Sequence, residues 1–288
     1  MEYAYKGISV IVGESGIDVR RAIRSALLGN DFKPVIDFSN VDDVIHHLRS
    51  YAVDLIIIDK DLPPEGSCGL ITDIRNGRLG SDPFMPIILL AGDVTGSSVY
   101  EVLSSGVDYI VQRPFAVTDL LARVHDLIVD RKPFVVTQTY IGPNRRSNKR
   151  TDTSKDQLIE VPNALRAKAL GDKEQLADIA KAQRATMSEV NTLRLQRHAV
   201  AIMSKIEDVV KALNDERGAE AYAKLGELSN MMGDIRQRIG TTKYLNSAPI
   251  CDSLIEKIDA LVEQRQVSKK DAVMLWPLAE TIAETFSQ

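Results

Sequence analysis

Cysteine is nearly absent from this chain. Cys68 and Cys251 are the only two in 288 residues, and they lie in different regions. Neither a disulfide framework nor a cysteine metal-ligand pair at short spacing is available, and a reducing compartment is expected. Long apolar runs are also missing: none approaches the roughly 20 residues a membrane span needs. The opening MEYAYKGISVIVGES has no cationic start followed by an apolar core of secretory type. These absences predict a cytoplasmic protein with no membrane contact. Nor is there an excess of positive charge: 36 Lys and Arg stand against 40 Asp and Glu, for a net −4, which argues against nucleic acid as the main partner.

What is present is an ordinary globular composition, 44% hydrophobic and 26% charged, of a length that suggests two domains. Charge is unevenly spread. Residues 1–132 carry −6, residues 133–159 carry +3 and residues 160–288 carry −1. From 8 to 130, short Val- and Ile-rich runs (Ile8–Val12, Val35–Phe38, Asp54–Ile58, Pro86–Leu90, Tyr109–Val111) alternate with segments of helical period. Five strand-helix repeats of this kind predict a parallel sheet covered on both faces, because each parallel crossover needs a helix. Residues 133–159 lose the pattern and carry Thr, Ser, Asn, Pro and Gly among the charges, so they are expected to form a basic, flexible linker.

Residues 160–288 read as an all-helical module. No Gly or Pro interrupts Lys173–Arg217, and apolar residues recur at helical spacing from Leu176 to Leu213, predicting one long helix or two in tandem. Gly218 and Gly240 mark stops. Pro249 opens a further helix, Ser268 and Asp271 stand at capping-box spacing for a last one, and Pro277 divides or kinks it. The apolar stripe of the long segment needs cover, either from later helices of the chain or from a second copy in a homodimer. Met203, Met231 and Met232 read most simply as core filler.

A parallel sheet gathers its chemistry at the carboxyl ends of its strands. Those ends carry Glu14 and Ser15 after the first run, Asp59 at the end of DLIIID, Ala91 after the fourth, and Arg113 after the fifth. Two carboxylates and a cation in one crevice can hold a hard divalent ion and accept a phosphoryl group. They can equally be a structural ion pair at the rim of the sheet.

The DLIIID-K-D-L-P-P stretch ending in Asp59, the GVDYIVQRPF segment, and Val19-Arg20-Arg21 at the start of the first helix resemble the receiver domain of bacterial two-component response regulators, over about residues 6–131. The resemblance implies a flavodoxin-like (βα)5 fold, followed here by the second, all-α domain. It also implies a phosphoacceptor at Asp59, phosphorylation by a sensor histidine kinase or phosphotransfer protein, and bound Mg²⁺. On the family pattern Glu14 and Asp59, with the main-chain carbonyl of Asp61, would hold the metal, and Arg113 would contact the phosphoryl group.

Several positions depart from that pattern. Ser15 leaves Glu14 as the only carboxylate at the first strand end, which weakens the metal site. Ala91 lacks the hydroxyl that the family places at the fourth strand end. Arg113 replaces a lysine, keeping charge but changing geometry. Ile110 stands where an aromatic switch residue is usual, with Tyr109 one step earlier and therefore on the opposite face.

Other chemistry-bearing residues are better explained by structure. His46, His47 and His125 read as surface or half-buried side chains. His198 lies inside the long helix but lacks the neighbours of phosphotransfer histidines, and Cys68 reads as a plain loop thiol. Tyr140–Arg146 resembles a YxGPxRR tail that follows some receivers. Arg145, Arg146, Lys149 and Arg150 then form a cationic patch more suited to a solvated linker than to DNA. No enzyme output is recognisable in the helical half, so the expected function is a non-enzymatic response regulator signalling through a helical protein-interaction domain with an unknown protein target. The alternative is a pseudo-receiver acting as a phosphorylation-independent binding or scaffold protein.

Overall fold

The computed structural model describes residues 3–92, 95–145, 157–264 and 267–287. Strand and helix alternate first: β1 Lys6–Gly13, α1 Ile17–Gly29, β2 Lys33–Phe38, α2 Val41–Ser50, β3 Leu55–Asp59, α3 Cys68–Arg75, β4 Ile87–Ala91, α4 Ser97–Ser104, β5 Tyr109–Gln112 and α5 Val117–Val129. The five strands pair in parallel in the order β2-β1-β3-β4-β5, the flavodoxin-like arrangement.

Both faces of the sheet are buried, which is why the strands read as unbroken apolar runs. Successive side chains point to opposite faces, and two cores result. Ile8, Val10, Val12, Leu55, Ile57, Ile88 and Leu90 meet α1 and α5 residues such as Ile23, Leu120 and Val124. Ile11, Ile56, Ile58, Ile87 and Leu89 meet Val44, Leu70, Ile71 and Val102 from α2, α3 and α4.

The described part of residues 133–159 is not a flexible linker. β6 Phe134–Val136 pairs antiparallel with β7 Ile141–Pro143 and with β8 Leu158–Ile159, giving a small sheet ordered β7-β6-β8. Phe134 is fully buried. It meets Phe84 edge-on at 5.9 Å, while the Arg75 and Arg131 guanidinium groups lie 5.3 and 5.1 Å from its ring centroid. Arg75, itself buried, donates to the carbonyls of Gly106, Pro83 and Met85 and pairs with Asp108 at 2.7 Å.

The hairpin packs backbone to backbone on the loop before β5. A Cβ on Gly142 would come within 2.7 Å of the Gly106 Cα, and one on Gly106, whose φ is +91°, within 2.5 Å of the Ile141 carbonyl oxygen. Only glycine fits there. Three-residue strands held by such distant partners carry too little periodicity to be read locally. Arg146, Lys149 and Arg150 lie outside the described residues.

The next helix also belongs to the first unit. α6 Ala164–Leu170 starts at Asn163, whose side chain accepts from the Arg166 N–H and donates to the Leu127 carbonyl. Leu165 enters the α1/α5 core with no exposed surface, and Lys168 pairs with Asp54 at 2.8 Å. The chain divides into compact units at residues 1–187 and 188–288, not at the expected 159/160 boundary; Phe134 packs on Phe84, and Leu165 and Ala169 lie in the core of the parallel-sheet unit. The division falls inside α7 Lys173–Asn214, a single 42-residue helix.

The second unit is helical, adding α8 Gly218–Ile239, α9 Ala248–Gln264, α10 Lys269–Met274 and α11 Trp276–Phe286 to the end of α7. Leu195, Ile202, Ile206, Leu225, Met232, Leu254, Ile258, Ile282 and Phe286 form its core, so the apolar stripe of α7 from Leu195 to Ile206 finds cover within this unit. Met231 and Met232 belong to this core, and Met203 packs against it. Ser268 and Asp271 make the reciprocal capping box, and Pro277 sits in the first turn of α11. Among the described residues no helix is long and apolar enough to cross a membrane.

Candidate functional site

Glu14, Asp59 and Arg113 converge at the carboxyl ends of β1, β3 and β5. The β1 and β3 ends flank the point where strand order reverses, the usual ligand crevice of such sheets. Glu14 is 2% exposed and Asp59 8%. One guanidinium nitrogen of Arg113, Nη2, is shared between them: it bonds Glu14 Oε2 and lies 3.3 Å from Asp59 Oδ2. The remaining Glu14 oxygen accepts the Gly16 N–H at 2.7 Å. Ala91, fully buried, aims Arg113 through its carbonyl, which accepts the Arg113 N–H at 2.7 Å.

Burial pushes the Asp59 carboxyl above its ordinary range; Arg113 opposes that shift and Glu14 adds to it. Asp59 Oδ1 also takes the Asp61 N–H at 3.4 Å. The Asp61 side chain is exposed and pairs with Lys60, and its main-chain carbonyl is the group that the family pattern offers a metal. Among the described residues no three or more His, Cys, Asp or Glu side chains are arranged to hold a metal ion. The donors that would serve Mg²⁺ are therefore two carboxylates and one carbonyl. They suit a hard ion that keeps several waters, but both carboxylates are engaged by Arg113.

Ser15 is exposed, and its carbonyl accepts from Arg20. Arg20 stands out in the sequence only as part of a motif. It also binds the Glu14 carbonyl and pairs with Asp37 at 3.2 Å, so it fixes the loop that carries Glu14. Gly13, which the sequence places at the first strand end beside Glu14, has a packing role. A Cβ there would lie 2.8 Å from Ile58 and 3.1 Å from Leu62, and the close approach of β1 to β3 depends on its absence. Ile110 packs on the α2/α3/α4 face, whereas Tyr109 packs on the opposite face, with Arg123 5.5 Å from its ring.

The remaining candidates lie elsewhere. Cys68 is buried, and burial pushes its thiol up to about 11, leaving little thiolate at neutral pH. His198 is 4% exposed and donates from Nε2 to Asp234 at 2.8 Å, since a carboxylate can only accept. It is a buried structural residue of the second unit.

Residues 10–125 match the family model of the response regulator receiver domain. These residues are a response regulator receiver domain. The chain is 30% identical over 94 residues to the transcriptional regulatory protein PhoP of Escherichia coli K12, covering 33% of this chain and 40% of PhoP. It is 32% identical over 83 residues to the virulence transcriptional regulatory protein PhoP of Salmonella typhimurium LT2, covering 29% and 35%. The chain thus spans well under half the length of the curated relatives it matches. Among solved structures, the receiver domain of Francisella response regulator 1452 aligns at 20% identity with a TM-score of 0.37, covering 41% of this chain and 94% of that one.

Proposed function

We propose that the receiver domain accepts a phosphoryl group on Asp59 and that the helical unit carries the signal to a protein target. Asp59 supplies the nucleophile, a carboxylate oxygen that attacks the phosphorus of a phosphohistidine on a sensor kinase or phosphotransfer protein. The P–N bond breaks, its electron pair stays on the imidazole nitrogen, and an acyl phosphate remains on Asp59. A bound Mg²⁺, held by Glu14, Asp59 and the Asp61 carbonyl, would supply charge neutralisation for the incoming phosphoryl oxygens.

The observation that carries this reading is the placement of Arg113. Its Nη2 already contacts Asp59, while its Nε is buried and has no hydrogen-bond partner. An orphaned donor beside the acceptor carboxylate is a group that a phosphoryl oxygen could satisfy. The output assignment is supported by the separate core of residues 188–288.

Incubation of the full chain with acetyl phosphate or beryllofluoride and Mg²⁺, beside Asp59→Asn, tests the reading. The expected result is a modification or conformational change that requires Asp59. Its absence would favour the pseudo-receiver, a reading supported by the missing hydroxyl at Ala91 and by the closed ion-pair system around Arg113.

A further inference from the structure

We propose that the cleft between α4 and the β6–β7 hairpin binds a small aromatic monocarboxylate. The cleft shares no residue with the Asp59 pocket, so the proposal stands whether or not Asp59 accepts a phosphoryl group.

The close approach of Gly142 to Gly106 sets the hairpin against the loop between α4 and β5, and an open cleft of about 350 Å³ remains beside it. Helix α4 contributes Tyr100 and Leu103 to the lining, and the hairpin contributes Val135, Tyr140 and Pro143. Tyr100 is 73% exposed and Leu103 40%. Two large apolar side chains thus stand uncovered at a concave surface, where a ligand's apolar body would take them out of water. Two of the five lining groups are phenol rings, which stack on or meet edge-on another aromatic ring. The cleft lies at the small end of ligand sites, and a fused bicyclic body suits it.

The polar end of the cleft decides the charge. Arg145 is the one charged side chain among the described residues that line it. Its Nη2 donates to the Val107 carbonyl at 2.8 Å, and the Tyr140 hydroxyl lies within its hydrogen-bonding reach. Both anchors are neutral, and among the described residues no carboxylate pairs with this guanidinium. A guanidinium held in place by neutral acceptors keeps its charge and its other N–H donors for an outside anion, and a carboxylate matches its planar fork. One cation calls for one anionic group. The same arrangement gives the Tyr140–Arg145 stretch a purpose: Tyr140 and Pro143 line the cleft, Gly142 lets the hairpin close on Gly106, and Arg145 supplies the charge.

The test uses 2-naphthoate and its uncharged isostere 2-naphthamide, each titrated into the full-length protein and followed by backbone amide resonances. Saturable shifts at Leu103, Ser104, Val135 and Arg145 are expected with both probes, and naphthoate is expected to bind about tenfold more tightly than naphthamide. In Arg145→Gln that preference is expected to disappear while naphthamide binds as it does to wild type. Absence of saturable shifts at the cleft, equal binding of the two probes to wild type, or a preference that survives in folded Arg145→Gln would each overturn the proposal.

Should that variant not fold, Tyr100→Ala decides instead, since its side chain is exposed and the core does not depend on it. Both probes are expected to bind more weakly to this variant by a similar factor, with the preference for naphthoate retained. Unchanged affinity of both probes would place them elsewhere on the protein and count against the cleft.

Discussion

Asp59 is held in its native pocket against its own preference for water. Burial raises its pKa despite the nearby Arg113 charge, so the folded state favours the protonated acid more than the unfolded chain does. Ionised Asp59 then costs stability at neutral pH, and the cost disappears as pH falls below the ordinary carboxylate range. Asp59→Asn is therefore expected to melt at a higher temperature than wild type at pH 7, with the gap closing as the pH is lowered toward about 4. Calorimetric melts across that range check the sign. A lower melting temperature for the variant at pH 7 would mean that the Arg113 contact outweighs desolvation.

Asp234 presents the opposite case. Burial alone would raise its carboxyl, but hydrogen bonds from His198 and Arg238 and the charges of Arg238 and Arg194 hold it far below the usual range. That contribution to stability is present above the unfolded pKa and is lost only in strong acid. Asp234→Ala would leave Arg194 and Arg238 buried around an empty centre. A loss of about 3–5 kcal/mol is expected for the helical unit, measured by urea unfolding followed through backbone circular dichroism.

At the scale of elements, the β6–β7 hairpin separates what was legible in the sequence from what was not. The five parallel strands could be read because each is a buried run of apolar residues, and Asp59 because it ends one of them. The capping box of α10 was legible for a similar reason, since its partners lie three residues apart. The hairpin hides because its strands are three residues long and its fit depends on Gly106 and Arg75, more than 30 residues away. The bond between Arg113 and Glu14 spans 99 residues, and spacing along the chain does not reveal which carboxylate a cation will choose.

The hairpin is also open to experiment. Gly142→Ala forces a Cβ against the Gly106 backbone and the Tyr140 ring, and a cost of about 1–3 kcal/mol is expected. Phe134→Ala, which removes a ring buried between two guanidinium groups, is expected to cost about 3–5 kcal/mol. Equilibrium urea unfolding measures both. Full stability in either variant would mean that the hairpin is an ornament on the receiver unit and not a part of it.

For the molecule as a whole, the receiver unit is larger than the segment that matches its family. The family match ends at 125, yet Leu165 and Ala169 lie in the same core as Val10 and Leu127. A fragment of residues 1–132 is expected to expose that core and to unfold at lower urea than one of residues 1–187, by a margin comparable to the loss of a fully buried leucine or more, about 2–5 kcal/mol. Equal midpoints would return the boundary to the place that composition suggested. The helical unit, with its own core, is expected to unfold as a separate cooperative step.

The buried arginine at the foot of the sheet has a mechanical consequence. Arg75 grips the carbonyls of Pro83, Met85 and Gly106, and so clamps the chain immediately after α4 at the end of the sheet opposite Asp59. Helix α4 resembles a lever whose fulcrum is its C-terminal foot. Held at that end, α4 is expected to show amide-exchange protection that rises along the helix toward the clamp.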